Sequence, residues 1–237
     1  MGRTMREALD ISAYLVVGPE NTEARPVREI VRAALHAGFT CVQIRAKEAS
    51  AREMIELLRE AAEEIAAAGA SERVALLADD RLDVVLAARK MGIKADGVHV
   101  GQSDVPPEIC RAYLGEEAVV GLSARTDELI AYVRETDTGD IDYFGAGPLH
   151  ETATKPDCGL DAHGNIVTRT FAEIKELAEA SKIPVVVGGG VKLADIPALA
   201  KTGVGGFFVV SAVAGARDPE KAAAELVDAW RENAGTS

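Results

Sequence analysis

Gln43, Arg45 and Lys47 alternate along Gln43-Ile44-Arg45-Ala46-Lys47, at the end of a short apolar run. In an extended segment alternate side chains share a face, so one amide and two cations point the same way. Turned into a cavity, such a set requires an anion to offset the cost of burial; turned outward, it is solvated. Asp80, in Ala78-Asp79-Asp80-Arg81, and Asp104, in His99-Val100-Gly101-Gln102-Ser103-Asp104, close two further runs. Brought together, the two carboxylates can share Mg²⁺, a hard ion that keeps several waters and completes its shell with substrate phosphate oxygens. Apart, each suits a helix N-cap, Asp80 ahead of Leu82 and Asp104 ahead of Pro106. For either aspartate taken alone, capping is the stronger reading.

Gly188-Gly189-Gly190 and Val210-Ser211-Ala212 follow two later apolar runs. Backbone N–H groups in a glycine turn or at a helix start bind phosphate monoesters; a tight strand-to-helix turn is the competing account of the glycines. Thr152-Ala153-Thr154-Lys155 offers two hydroxyls and an ammonium within four residues, which can wrap a phosphate or form a solvated loop. The histidines form no cluster: His36 reads as helical, and His150 and His163 are scattered through a long irregular stretch. The chain carries no Walker, zinc or G-x-S-x-G motif.

The elements that position these residues alternate strand and helix. Candidate strands are Ala13–Val17, Thr40–Ile44, Val74–Leu77, Gly97–Val100, Val119–Leu122, Tyr143–Ala146, Pro184–Val187 and Gly206–Val210. Most are nearly continuous apolar runs, the pattern of parallel strands buried on both faces. Met54, Leu57, Leu58, Ala61 and Ile65 recur at helical spacing, as do Ala223, Leu226, Val227 and Trp230. Eight strand-helix units predict an α/β fold, a single-domain (β/α)₈ TIM barrel over residues 1–237 with chemistry at the C-terminal strand ends. An open doubly wound sheet would carry a glycine fingerprint in its first turn; Val17-Gly18-Pro19-Glu20-Asn21-Thr22 is none. Residues 1–10 form an N-terminal extension, and 147–169 a loop long enough to be functional.

A net charge of −12 leaves no broad basic face for nucleic acid but permits a few cations gathered in one cleft. Aromatic residues are only 4% of the chain, so aliphatic side chains and alanine must fill the core. Cys41, Cys110 and Cys158 are odd in number and lack metal spacing, which predicts free thiols in a reducing compartment. Met1 to Asp10 is charged, without the apolar core of a signal peptide. No run approaches the roughly 18 apolar residues of a membrane span. A soluble, cytoplasmic protein is expected, and a homo-oligomer is compatible with this composition.

Taken together and in order, these segments resemble the thiamine phosphate synthase family, from about Ala13 to Val213. The stretches that carry the resemblance include Gln43-Ile44-Arg45-Ala46-Lys47, Asp80-Arg81-Leu82-Asp83-Val84 and Asp96-Gly97-Val98-His99-Val100-Gly101-Gln102-Ser103-Asp104. Further on, Gly145-Ala146-Gly147-Pro148, Thr152-Ala153-Thr154-Lys155, Gly189-Gly190-Val191 and Val209-Val210-Ser211-Ala212 continue it in register. The resemblance implies a transferase that moves a hydroxymethylpyrimidine group from its pyrophosphate ester to the nitrogen of a thiazole phosphate. It implies that Gln43, Arg45 and Lys47 hold the pyrophosphate, that Asp80 and Asp104 hold Mg²⁺, and that Lys155 closes from the long loop. Ser123 matches a serine near the same leaving group. Thr152, with Thr154 in the same motif, Gly189, Gly190, Val210 and Ser211 match the thiazole phosphate site.

Two positions depart from the family pattern. Asp79 replaces the usual asparagine, placing an extra carboxylate where it either adds a ligand or opposes substrate charge. Arg125 replaces a histidine two positions after the serine. The alternatives are a thiazole tautomerase-like isomerase, for which that histidine is expected, and a non-catalytic barrel that binds thiazole or thiamine phosphate. Retention of Asp104, the cationic strand and Lys155 favours the transferase.

Overall fold

Short runs of Val, Leu, Ile and Ala cannot bury themselves unless both faces are covered, and a closed barrel ringed by helices does this. The computed structural model describes residues 2–152, 159 and 164–235. Its strands are β1 (Ala13–Val17), β2 (Cys41–Ile44), β3 (Ala75–Asp79), β4 (Gly97–Val100), β5 (Val119–Ser123), β6 (Tyr143–Ala146), β7 (Val185–Val187) and β8 (Gly206–Val209). All neighbours are parallel, in chain order, and β8 closes on β1 with Phe208 beside Tyr14. The predicted TIM barrel is the observed fold. The largest difference is at β3, which runs on to Asp79 because Asp79 pairs with His99 of β4. There the apolar run ends before the backbone ladder does.

Helices follow the strands. Ala51–Ala67 starts at a reciprocal cap between Ser50 and Glu53, and Phe171–Ala180 at one between Thr170 and Glu173. Each such cap satisfies N–H groups that a helix start leaves without partners. Met54, Leu58, Ala61 and Ile65 are buried against the barrel, as their spacing predicts, while Leu57 is partly exposed. The helix after β7, Ile196–Leu199, is a single turn.

Strand alternation divides the apolar residues into two cores. Leu15, Val17, Val42, Ile44, Leu76 and Ala78 pack outward against the helices. Tyr14, Val16, Cys41, Ala75, Leu77, Val119, Tyr143 and Val186 fill the barrel interior. Burial of each large aliphatic side chain contributes about 1.5–3 kcal/mol. The extension at 1–10 contains a helical turn, Met5–Ala8, whose Met5 packs against the interior cluster and whose Arg6 pairs with Asp142 at 2.7 Å. Cys41 and Cys110 are buried free thiols; Cys158 lies outside the described residues. Among the described residues no helix is long and apolar enough to cross a membrane.

Candidate active site

The inward side chains give way to polar ones at the C-terminal strand ends. Gln43 on β2, Asp79 at the end of β3, His99 on β4 and Ser123 at the end of β5 all face a cavity of about 330 Å³. Arg45 and Lys47, just beyond β2, line the same cavity, so the alternation read from sequence does place all three residues of that segment on one side. β7 lies four strands from β3 around the ring, which sets the Gly189-Gly190 turn across the mouth from Asp79.

Asp79 organises the cationic wall. It is only 7% exposed and accepts a hydrogen bond from Gln43 Nε2. Arg45 Nε and Lys47 Nζ each lie 3.4 Å from its Oδ2. Arg45 Nε is buried, and among the described residues no hydrogen-bond partner meets it. A buried donor that has a carboxylate nearby but no well-aligned hydrogen bond is under-satisfied, and an anion in the cavity would supply the acceptor.

Asp80 and Asp104 converge as well, and the capping reading of both is overturned. The helix Leu82–Lys90 is capped at Arg81 and Pro107–Leu114 at Pro106, in neither case by a side-chain hydrogen bond. Asp80 adopts φ 59°, a left-handed conformation that aspartate tolerates better than most residues. Its backbone N–H is tied to His99 O at 2.7 Å, and its carboxylate meets Lys47 Nζ. Asp104 Oδ2 accepts from Gly101 N–H at 2.8 Å. Burial raises the Asp104 carboxyl above its usual range, and the neighbouring Asp80 carboxylate raises it further. Burial opposes the Lys47 charge, but the hydrogen bond to Asp80 and the charge of Asp79 outweigh it, so the ammonium lies above the ordinary lysine value.

Among the described lining residues, three carboxylates therefore face two cations. No cluster of three or more His, Cys, Asp or Glu able to hold a metal occurs among the described residues. Two adjacent carboxylates with an excess of negative charge still fit Mg²⁺, which takes few protein ligands and relies on water and phosphate for the rest. Asp80 and Asp104 are the residues that would hold it.

Opposite them is a backbone surface. Gly189 and Gly190 have φ 77° and 72°, values that glycine adopts without steric cost. A Cβ at Gly189 would come within 2.5 Å of Pro148 Cβ. Val210 caps the turn Ser211–Ala214, and Thr152 lines the same cavity. The first N–H groups of a helical turn have no acceptor within it, so they are available to a phosphate. The base of the 147–169 loop is tied by Arg169 N–H to Pro148 O at 2.9 Å. Thr154 and Lys155, and with them His163, lie outside the described residues.

Tyr14, Tyr143 and His99 were given no role by the sequence motifs. His99 contacts Ser123 Oγ at 3.0 Å and Tyr143 Oη at 2.9 Å, and Tyr143 meets Tyr14 at 2.8 Å. A signal for them did exist: each is a polar residue at an inward position of a buried strand. Arg125 is exposed; it donates to Gln102 Oε1 at 3.1 Å and lies over the Tyr132 ring, outside the cavity lining.

Comparison with known proteins locates this arrangement. A family model described as thiamine monophosphate synthase matches residues 13–213. A thiamine-phosphate synthase of Corynebacterium efficiens is 37% identical over 96% of this chain and 99% of its own. That of Moorella thermoacetica is 36% identical, covering 90% of this chain and 92% of its own. Among solved structures, a thiamine phosphate pyrophosphorylase from Pyrococcus furiosus superimposes with a TM-score of 0.78 at 29% identity, over 98% of this chain and 100% of that one. A 3-hexulose-6-phosphate synthase from Salmonella typhimurium, at 16% identity and TM-score 0.66, shares the fold alone.

Proposed function

The chain belongs to the thiamine monophosphate synthase family, and we propose that it joins a hydroxymethylpyrimidine, activated as its pyrophosphate ester, to the ring nitrogen of a thiazole phosphate. The products are thiamine phosphate and pyrophosphate. The observation that carries this reading is one cavity with two unlike halves, a cationic wall beside paired carboxylates and a glycine-rich backbone surface across from it. Each half suits one phosphorylated substrate.

Arg45, Lys47 and Gln43 would bind the diphosphate, with Ser123 on the adjoining wall and Lys155 entering from the long loop. The methylene C–O bond breaks, and its electron pair leaves with the diphosphate, whose growing charge the guanidinium and ammonium are already placed to meet. The thiazole nitrogen then donates its lone pair to the methylene carbon. Thr152, Thr154, Gly189, Gly190, Val210 and Ser211 would hold the thiazole phosphate so that this nitrogen faces the carbon. Held by Asp80 and Asp104, Mg²⁺ would supply Lewis-acid neutralisation of the diphosphate oxygens. No protein nucleophile is needed, because positioning and preorganised charge lower the barrier. Arg125 stands where an isomerase would use a histidine, and it is exposed and spends its Nε–H on Gln102 at the cavity edge, which supports the transferase. We place the reaction in the cytoplasm, in keeping with the buried free thiols Cys41 and Cys110.

Purified protein supplied with Mg²⁺ and both substrates should release pyrophosphate and form thiamine phosphate, and chelation should abolish both. Asp104→Ala should lower kcat by roughly two orders of magnitude, the scale of losing a metal's charge stabilisation. Turnover at the normal rate by Asp104→Ala would show the metal assignment to be wrong.

A further inference from the structure

Six polar side chains form an unbroken hydrogen-bonded chain beneath the cavity. Asp79 accepts from Gln43 Nε2. Gln43 Oε1 accepts from Tyr14 Oη at 2.5 Å, and Tyr14 Oη meets Tyr143 Oη at 2.8 Å. Tyr143 Oη meets His99 Nδ1 at 2.9 Å, and His99 Nε2 meets Ser123 Oγ at 3.0 Å.

The sense of the chain follows from its Asp79 end. A carboxylate facing Arg45 and Lys47 can only accept, so Gln43 must turn its NH₂ group toward Asp79 and its carbonyl oxygen toward Tyr14. Tyr14 has one hydrogen and gives it to that oxygen, so it accepts from Tyr143. Tyr143 has then spent its own hydrogen and must accept from His99 Nδ1. An imidazole with its proton on Nδ1 keeps a lone pair on Nε2, and that lone pair takes the Ser123 hydroxyl hydrogen. Burial pushes both phenols well above the usual tyrosine value, so both keep the hydrogens this sequence requires.

The barrel interior is shaped around these contacts. Gly121 and Gly145 occupy inward positions on β5 and β6, where a side chain would collide with the chain. A Cβ on Gly121 would come within 2.2 Å of Tyr143 Cζ and 2.6 Å of His99 Nδ1. A Cβ on Gly145 would come within 3.0 Å of His99 Cε1. The His99 and Tyr143 rings stack with centroids 5.5 Å apart.

We infer that Tyr143 is a positioning residue: through Tyr14 and Gln43 it carries the orientation of the Asp79 carboxylate to His99, fixing one imidazole tautomer and one direction for the Ser123 hydroxyl. Tyr143 is fully buried and does not line the cavity, so it acts only through its neighbours. The inference rests on the synthase reading for its effect on rate but not for its effect on His99.

The test uses full-length protein carrying ¹⁵N-labelled histidine, with the His99 imidazole signals assigned, alongside steady-state kinetics. Wild type should show His99 protonated at Nδ1. Tyr143→Phe keeps the ring but removes the acceptor, and His99 should shift to the Nε2-protonated form, which can donate to Ser123. Tyr14→Phe leaves Tyr143 in place but frees its hydrogen to turn toward His99, and should produce the same shift; it carries the test if Tyr143→Phe does not fold. In both variants kcat should fall roughly tenfold, the rate equivalent of one buried hydrogen bond. For Tyr143→Phe, KM for each substrate should stay within about twofold, because Tyr143 does not line the cavity and no binding contact is lost. A wild-type His99 protonated at Nε2, variants that keep the Nδ1 form, or an unchanged kcat would each overturn the inference. A wild type that makes no thiamine phosphate, with variants that still switch the tautomer, would refute the synthase reading and uphold the relay.

Discussion

Replacing Asp79 by asparagine removes one negative charge from the cationic wall while keeping an oxygen that can accept from Gln43. Arg45 and Lys47 lie 3.4 Å from that carboxylate and are partly neutralised by it. A phosphoryl oxygen bound on the far side of either cation lies about 2.8 Å further on, the length of a charge-assisted hydrogen bond, or about 6 Å from Asp79. Two unit charges at that distance repel by about 2.8 kcal/mol at an effective dielectric constant of 20. Water at an open mouth halves this to about 1.4 kcal/mol, one factor of ten in affinity. Asp79→Asn should therefore lower KM for the pyrimidine pyrophosphate about tenfold. KM for the thiazole phosphate should not change, because its site lies across the barrel. Initial-rate kinetics with each substrate varied at saturating Mg²⁺ measures both. An unchanged or higher KM for the pyrophosphate ester would mean that Asp79 does not oppose substrate charge, and the electrostatic account of this wall would fail.

Two further perturbations separate binding from stability. Gly189→Ala would force a side chain onto a φ of 77° and within 2.5 Å of Pro148, so it should cost about 1–3 kcal/mol of stability. It should also raise KM for the thiazole phosphate about tenfold, as expected for a lost backbone hydrogen bond to a phosphate; equal kinetics would remove this turn from the site. Glu64 is buried and accepts from Arg32 and Arg28 at 2.8–3.0 Å, which lowers its carboxyl to about 2. A depressed folded-state value means stabilisation that is fully present above the unfolded value near 4.5 and is lost as pH falls toward 2. The guanidiniums are 38% and 49% exposed, so screening holds the contribution to about 2 kcal/mol. Urea denaturation of Glu64→Gln should show that deficit at pH 7 and a smaller one at pH 3; a deficit independent of pH would exclude the ion pairs as its source.

The strands were legible because burial on both faces writes itself as short apolar runs. The shared side of Gln43, Arg45 and Lys47 was legible because a strand repeats every two residues. Local chemistry also marked the Gly188-Gly189-Gly190 turn. From local sequence alone, whether Asp80 and Asp104 meet was not legible. A capping aspartate and a metal-binding aspartate have the same local sequence, and only the approach of β3 and β4 brings the two carboxylates together, with the helix starts capped elsewhere. Arg125 was a visible departure whose meaning depended on its contacts with Gln102, at the cavity edge, and with the Tyr132 ring.

Sequence alone determined the periodicities, and through them the barrel and the face each strand end presents. Tertiary structure alone decided which distant side chains meet. Tyr14 and Tyr143 are 129 residues apart and touch only because β8 closes on β1, which makes the interior a single shared space. Gly121 leaves room there for a tyrosine from the next strand. A glycine in a strand records that space is needed, but what fills it depends on the register of strands that the chain order does not state.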